Sequence, residues 1–247
     1  MNNTGNWAEA NVNIGEYESP PSEYSSRNVY SAHLTDLKPD KIYIFSIEEE
    51  SWLKHPNQEL YSYQTFGSRP IKILAAGDVG NKEASIEMGI NTVKNLNVDL
   101  MIFGGDLAYD NNIPTCYNAW DYFLRTIQQN VEDPVTKTTR IIPMILGVGN
   151  HDVGVQSFTF ATVPLTPHSP VFMHWFPQNT ANNLVPALKD RKTYFSHKFG
   201  DKLHIISLDA EYLENMEGNQ TEWLRETLSN SKSEIKIVQF HGPIYGS

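Results

Sequence analysis

Residues 98–109 read VDLMIFGGDLAY, and this stretch decides the fold. An apolar run of strand length, Val98 to Phe103, ends abruptly in two glycines, an Asp and, three positions on, a Tyr. A short continuous apolar run bounded by turn formers reads as a strand buried on both faces. The pattern recurs as IKILAAGDVG at 71–80, PMILGVGNHD at 143–152 and IKIVQFH at 235–241. Each run places an oxygen or nitrogen donor at a strand's carboxyl end, which is where open α/β sheets gather their chemistry.

Helical patterns separate these runs. Ile86, Ile90 and Val93 recur at i, i+4 and i+7, Trp120, Phe123, Leu124 and Ile127 at i, i+3, i+4 and i+7, and Trp223, Leu224 and Leu228 mark a third helix. Leu203 to Leu208 is a further buried strand. Strands alternating with helices predict an α/β layered domain with a largely parallel sheet. The Pro-rich stretch 155–193 has no clear period and reads as a long loop over one face.

The first seventy residues differ in texture. Residues 1–24 read as an irregular lead-in, and short β-branched and aromatic runs follow at Val29 to Leu34, Ile42 to Ile47 and Tyr61 to Phe66. Leu37-x-Pro39-x-x-x-Tyr43 resembles the tyrosine-corner stretch of fibronectin type III domains, in which a Tyr hydroxyl ties down a turn. About three strands are visible against roughly seven in a complete sandwich, so a partial β-sandwich is expected over 1–66. Gly67-Ser68-Arg69-Pro70 is the expected linker, and 71–247 the catalytic unit.

Composition excludes several classes. At 247 residues, 40% hydrophobic and 19% charged, the chain has the makeup of an ordinary globular protein. No stretch approaches the roughly 18 consecutive apolar residues of a spanning helix, and the first twenty residues lack the basic start and apolar centre of a signal peptide. The formal net charge of −10 opposes nonspecific attraction to nucleic acid or to an anionic membrane. Cys116 is the single cysteine, so neither an intrachain disulfide nor a Cys-based zinc site can form. Sequons at Asn2 and Asn219 are compatible with secretion.

Asp78, Asp106, Tyr109, Asn150, His151 and His241 are the residues that carry chemistry. Singly each has a plain reading: an Asp after a strand caps a helix or starts a turn, and a Tyr is commonly a packing residue. Jointly they spell a two-metal phosphoesterase site. Two cations about 3.5–4 Å apart clamp the attacking and leaving oxygens of an in-line displacement, and a carboxylate between them offsets their repulsion. Asp106, central in the order, is the natural bridge. Asp78 and Tyr109 offer the hard anionic oxygens that trivalent iron prefers, whereas Asn150 and His241 offer neutral donors suited to a divalent ion. A metal-bound hydroxide is then available as nucleophile without a protein base.

These segments resemble the metallophosphoesterases, and within them the purple acid phosphatases, whose blocks are DxG, GDxxY, GNH(D/E), VxxH and GHxH. Here they read Asp78-Val-Gly80, Gly105-Asp-Leu-Ala-Tyr109, Gly149-Asn-His-Asp152 and Val238-Gln-Phe-His241. Many metallophosphoesterases begin with D-x-H; this chain has Gly80 where that His would stand, and it supplies Tyr109. The resemblance implies an αββα sandwich, an Fe(III)–M(II) pair with M zinc, manganese or iron, and hydrolysis of small-molecule phosphate monoesters. It implies that His151 contacts phosphate or protonates the leaving group rather than binding metal. A secreted, vacuolar or lysosomal location follows from it, and a homodimer is compatible with it.

The fifth block, GHxH, has no counterpart after His241, and the chain ends at Ser247. The expectation is therefore a chain truncated at both ends, with five of seven metal ligands and lowered metal affinity. His33, His55, His168, His174, His197 and His204 lack clustered ligand spacing and read as surface, loop or packing residues. Asp152 is expected to orient the His151 ring or to face solvent. An inactive fragment or binding protein of the same fold, and a phosphodiesterase or nucleotide pyrophosphatase of the same superfamily, are the competing readings.

Overall fold

The computed structural model describes residues 12–17, 27–32, 34–47, 59–80, 83–113, 118–127, 131–155, 170–178 and 186–243. Its centre is a parallel sheet of three strands in the order β5 (Ile73–Ala76), β6 (Leu100–Phe103), β9 (Met144–Leu146). Side-chain parity along these strands makes two cores from one sheet. Met101, Phe103 and Leu146 point to one face and pack with Val93 of helix α1 (Glu83–Leu96) and Trp120, Phe123 and Ile127 of helix α2 (Asn118–Ile127). Leu100, Ile102 and Ile145 point to the other and meet Phe195, Leu203 and Ile205.

Those last residues belong to a second sheet, β10 (Phe195–Phe199), β11 (Leu203–Ser207) and β12 (Ile235–Gln239), antiparallel then parallel. Helix α5 (Thr221–Asn230) covers its outer side through Trp223, whose ring lies 4.9 Å from that of Tyr194, and through Ser231 just beyond its end, whose hydroxyl meets His204 Nδ1 at 2.8 Å. The order of layers is thus helix, sheet, sheet, helix, a mixed α/β fold. No helix among the described residues is long and apolar enough to cross a membrane.

The sequence-based expectation of four buried site-bearing strands needs correction at the first and the fourth: β5 is an edge strand in which no residue is fully buried. β12 is an edge strand of its sheet, and Ile235 and Val238 are 54% and 40% exposed. The 155–193 stretch is likewise more than a loop where it is described. Helix α4 (Val171–Trp175) drives Val171, Phe172 and Met173 into the first core, with Phe172 and Trp120 ring centroids 6.1 Å apart. Ile86 and Ile90, expected on the buried face of α1, have side chains outside the described residues, as do His33, His55 and His168.

Toward the start, Val12–Tyr17 is not irregular: it forms β1, antiparallel to β2 (Arg27–Ala32). A separate four-stranded sheet runs β3 (Ile42–Phe45), β4 (Tyr61–Gln64), β8 (Thr139–Arg140), β7 (Val131–Glu132). It therefore draws strands from both sides of residues 67–70. Tyr43 Oη accepts a hydrogen bond from the Lys38 N–H at 2.8 Å, tying the turn as its spacing suggested. Asp99, just ahead of β6, joins this sheet to the central one: its Oδ1 accepts from Arg69 at 2.8 Å and Arg140 at 2.9 Å, and its Oδ2 from the Lys72 N–H at 2.9 Å.

Candidate metal centre

The parallel ladder continues past the strand ends and aligns the loops that carry polar side chains. Gly104 N–H donates to Ala76 O and Gly147 N–H to Phe103 O, both at 2.8 Å, and Asp78 N–H donates to Gly105 O at 3.1 Å. Close approach then requires glycine. A Cβ on Gly80 would overlap the Leu107 carbonyl, and one on Gly149 would overlap the Asp106 amide and carboxylate. The tight contacts these glycines serve are between adjacent strand-end segments: backbone to backbone at Gly80, and with both the backbone and the carboxylate of Asp106 at Gly149.

Three of the candidate ligands have left-handed backbones: Asp78 at φ 55°, Asp106 at 55° and Tyr109 at 58°. Asp tolerates this region, but a bulky aromatic there is an outlier held by its surroundings, and such strain collects at functional sites.

All six sequence-predicted residues converge at one end of the sheets. Donor atoms of Asp78, Asp106 and His241 lie within 4.8 Å of one another. His241 Nε2 is 3.3 Å from Asp106 Oδ2 and 3.1 Å from Asn150 Oδ1. Tyr109 Oη reaches Asp78 Oδ1 at 3.4 Å, and His151 Nε2 stands 3.9 Å from Asp106 Oδ2, the longest of these separations. Asp106 is 3% exposed whereas Asp78 faces solvent, so the cluster opens on one side.

The electrostatics of the cluster are those of closely spaced acidic groups. Burial, then the carboxylates of Asp106 and Asp78, push the Tyr109 hydroxyl well above its ordinary pKa. Burial also opposes ionisation of Asp106, but hydrogen bonds from His241 and the His151 N–H outweigh it and hold Asp106 below the usual carboxylate value. His241 is raised in turn: burial lowers it, and Asp106, Asp78 and Asp152 more than reverse that. Two carboxylates, a phenol, an amide oxygen and an imidazole around one point are a donor set for hard or borderline cations.

Several residues of the site escape sequence reasoning. Asp152 neither orients the ring nor faces solvent. It is fully buried, and its Oδ2 accepts from the N–H groups of Asp106 at 2.8 Å and Gly149 at 2.9 Å, its Oδ1 from Leu107 at 2.8 Å. It thus ties the GDxxY loop to the start of the short helix α3 (Asn150–Val153) in which it sits. Burial pushes its pKa up to about 7 against the pull of those amides. Asn111 meets His151 side chain to side chain. Tyr212 stacks toward His241 with centroids 6.1 Å apart, its pKa pushed up to about 12 by burial and then by Asp106. Asp209 holds that loop, accepting from Thr193 Oγ1 and from the N–H groups of Tyr212, Leu213 and Glu214. The one available signal was the run Asp110-Asn111-Asn112, residue types that tolerate left-handed turns.

The family model for calcineurin-like phosphoesterases matches residues 71–247. No curated protein sequence matches the chain. Seven solved chains match. One, titled "Structure of PhoD", has a TM-score of 0.44 and 12% identity, over 92% of this chain and 54% of that one. The chain spans about half the length of that structure.

Proposed function

The chain belongs to the calcineurin-like phosphoesterase family, and on that premise we propose that it is a phosphomonoesterase of the purple acid phosphatase type. One observation carries the finer assignment: Tyr109 Oη sits 3.4 Å from Asp78 Oδ1, beside the Asp78–Asp106–His241 cluster. That adds a phenolate donor where Gly80 leaves no room for a histidine. In this reading Asp78, Tyr109 and Asp106 would hold an Fe(III), and Asp106, Asn150 and His241 would hold zinc, manganese or a second iron. When bound, the pair supplies positive charge to the phosphoryl oxygens and acidifies water.

The chain's own residues do the rest. Asp106, nearly buried and fixed by the His151 N–H at 3.0 Å, keeps the shared position rigid. His151, farther from the cluster than His241, is placed to contact a phosphoryl oxygen or to give a proton to the leaving oxygen. Small phosphate monoesters are the proposed substrates, in a secreted, vacuolar or lysosomal setting; the net charge of −10 disfavours nucleic acid.

Loading the protein with iron tests the reading. A visible tyrosinate-to-iron band is expected, lost in Tyr109→Phe, together with hydrolysis of monoesters in preference to diesters. A colourless wild type with iron bound, or a preference for diesters, overturns it.

A further inference from the structure

His204 is 1% exposed in the central strand of the second sheet. Register sets its neighbours: Lys198 of β10 lies opposite it on one side and Lys236 of β12 on the other, so all three side chains leave the sheet on the outer face that α5 covers. Its Nδ1 meets the Ser231 hydroxyl at 2.8 Å. Its Nε2 is sealed from solvent and has no hydrogen-bond partner among the described residues.

This arrangement suits only the neutral ring. With one proton on the imidazole either tautomer satisfies Ser231, because a hydroxyl can donate or accept. With two, the Nε2–H would be a buried donor without an acceptor, on a cation flanked by two ammonium-bearing residues. The charged groups of α5 and of the segment after it, Glu222, Arg225, Glu226, Lys232 and Glu234, are all exposed, and Lys236 Nζ donates to Ser233 O at 2.9 Å. Burial, then Lys198 and Lys236, hold His204 below the ordinary histidine value; His197, on the opposite face of β10, is lowered by burial and then by His204.

Helix α5 is a thin cover over this ring. None of its residues is fully buried, and its contacts with the sheet side are the Trp223–Tyr194 ring pair, 4.9 Å apart, and, through Ser231, His204 itself. Lifting the helix is therefore the least costly way to bring water to Nε2.

We propose that the seam between α5 and the second sheet is an acid-sensitive joint, closed over a neutral His204 and opened by protonation of that ring, which the closed seam does not accept. None of its residues is a candidate metal ligand, so the joint stands apart from the phosphatase reading. The open form takes up the proton near pH 6.5 and the closed form only at lower pH. Closure is thus at full strength above that pH and weakens as pH falls, by up to about ten-fold in the opening equilibrium per pH unit.

Amide hydrogen exchange of the full, zinc-loaded chain between pH 5 and 8, corrected for the intrinsic pH dependence of exchange, reads the opening directly. Protection across α5 is expected to be constant above about pH 7 and lower by about three- to ten-fold at pH 5.5, with β6 unchanged. His204→Gln keeps an amide that can meet Ser231 and carries no titratable group, so its α5 protection should not depend on pH. Protection of α5 that does not fall on acidification, that falls equally in β6, or that falls as much in His204→Gln overturns the joint. Where that variant does not fold, an NMR titration of the wild-type histidines decides: a His204 ring still neutral at pH 6 supports the proposal, and one that titrates at or above the ordinary value overturns it.

Discussion

Replacing Asp152 by Ala removes the shared acceptor of four backbone N–H groups, those of Asp106, Leu107 and Gly149 at 2.8, 2.8 and 2.9 Å and that of Ala108 at 3.4 Å, in a fully buried position. Each charge-assisted bond of this kind contributes roughly 1.5–3 kcal/mol, and none of the donors can reach water without the loops moving. The three short bonds together are worth about 5–9 kcal/mol by that scale. Relief of a buried charge works the other way, since burial raises this carboxyl to about 7 even with the amides pulling it down. Loss of a buried hydrogen-bonded network of this kind leaves Asp152→Ala less stable by about 3 kcal/mol, a large share of the roughly 5–15 kcal/mol that holds a domain folded. Asp152→Asn sharpens the reasoning. Its oxygen can still serve Asp106 and Gly149, but its NH2 then faces the Leu107 and Ala108 N–H groups, donor against donor, so a loss of about 1–3 kcal/mol is expected although the buried charge disappears. Urea unfolding with the slope held constant measures both. Metal titration is the companion assay, because two ligand-bearing loops lose their common tie; a loss of about 10–100-fold in affinity is expected for Asp152→Ala. An Asp152→Ala protein within about 0.5 kcal/mol of wild type and with unchanged metal affinity would refute the clamp.

Gly80→Ala should fail to fold or lose more than about 3 kcal/mol, since the added methyl meets the Leu107 carbonyl rather than a movable side chain; solubility and circular dichroism report it. Asp99→Ala leaves the Arg69 and Arg140 guanidinium groups facing each other without their shared carboxylate, and a loss of about 3–5 kcal/mol in thermal or urea unfolding is expected. Burial raises Asp209 above the ordinary carboxylate value of 3.8, against Thr193 and three amides. The folded state then holds a proton that the unfolded state has lost, so this group's contribution falls as pH rises from about 4 through its raised value. Asp209→Asn should flatten that part of the pH–stability curve, and an unchanged curve would count against it.

The central sheet and the positions of its five site residues, with His241 at the end of the second sheet, were legible because two local signals coincide: apolar runs of strand length and small turn residues that end them. Val98 to Phe103 announces β6 whatever surrounds it. The short strands β7 and β8 carry no such signal. Thr139 and Arg140 are extended because Tyr61 and Ser62 lie alongside, and a two-residue ladder leaves no period. β1 was hidden by its polar neighbours, with Val12 and Ile14 the sole apolar alternation before Tyr17. The exposure of β12 was unreadable for a different reason: composition states what a strand can bury, not what covers it. Asp152 and Asn111 were out of reach because the partners that matter across the site stand 40 or more residues away and, for Asp152, are main-chain amides that no side-chain pattern encodes.

The left-handed backbones at Asp78, Asp106 and Tyr109 bear on how the centre can be interrogated. Alanine at Asp78 or Asp106 is two perturbations in one, because it deletes a donor and also forces a Cβ-bearing residue without a polar side chain into a conformation it resists. Loss of function in such a variant could not be apportioned between chemistry and a displaced loop. Asparagine keeps the shape and the tolerance for that backbone while removing the charge, and glycine keeps the backbone while removing the donor. A scan built on that pair, with Phe at Tyr109, isolates the ligand contribution; the ordinary alanine scan of this site measures its scaffold.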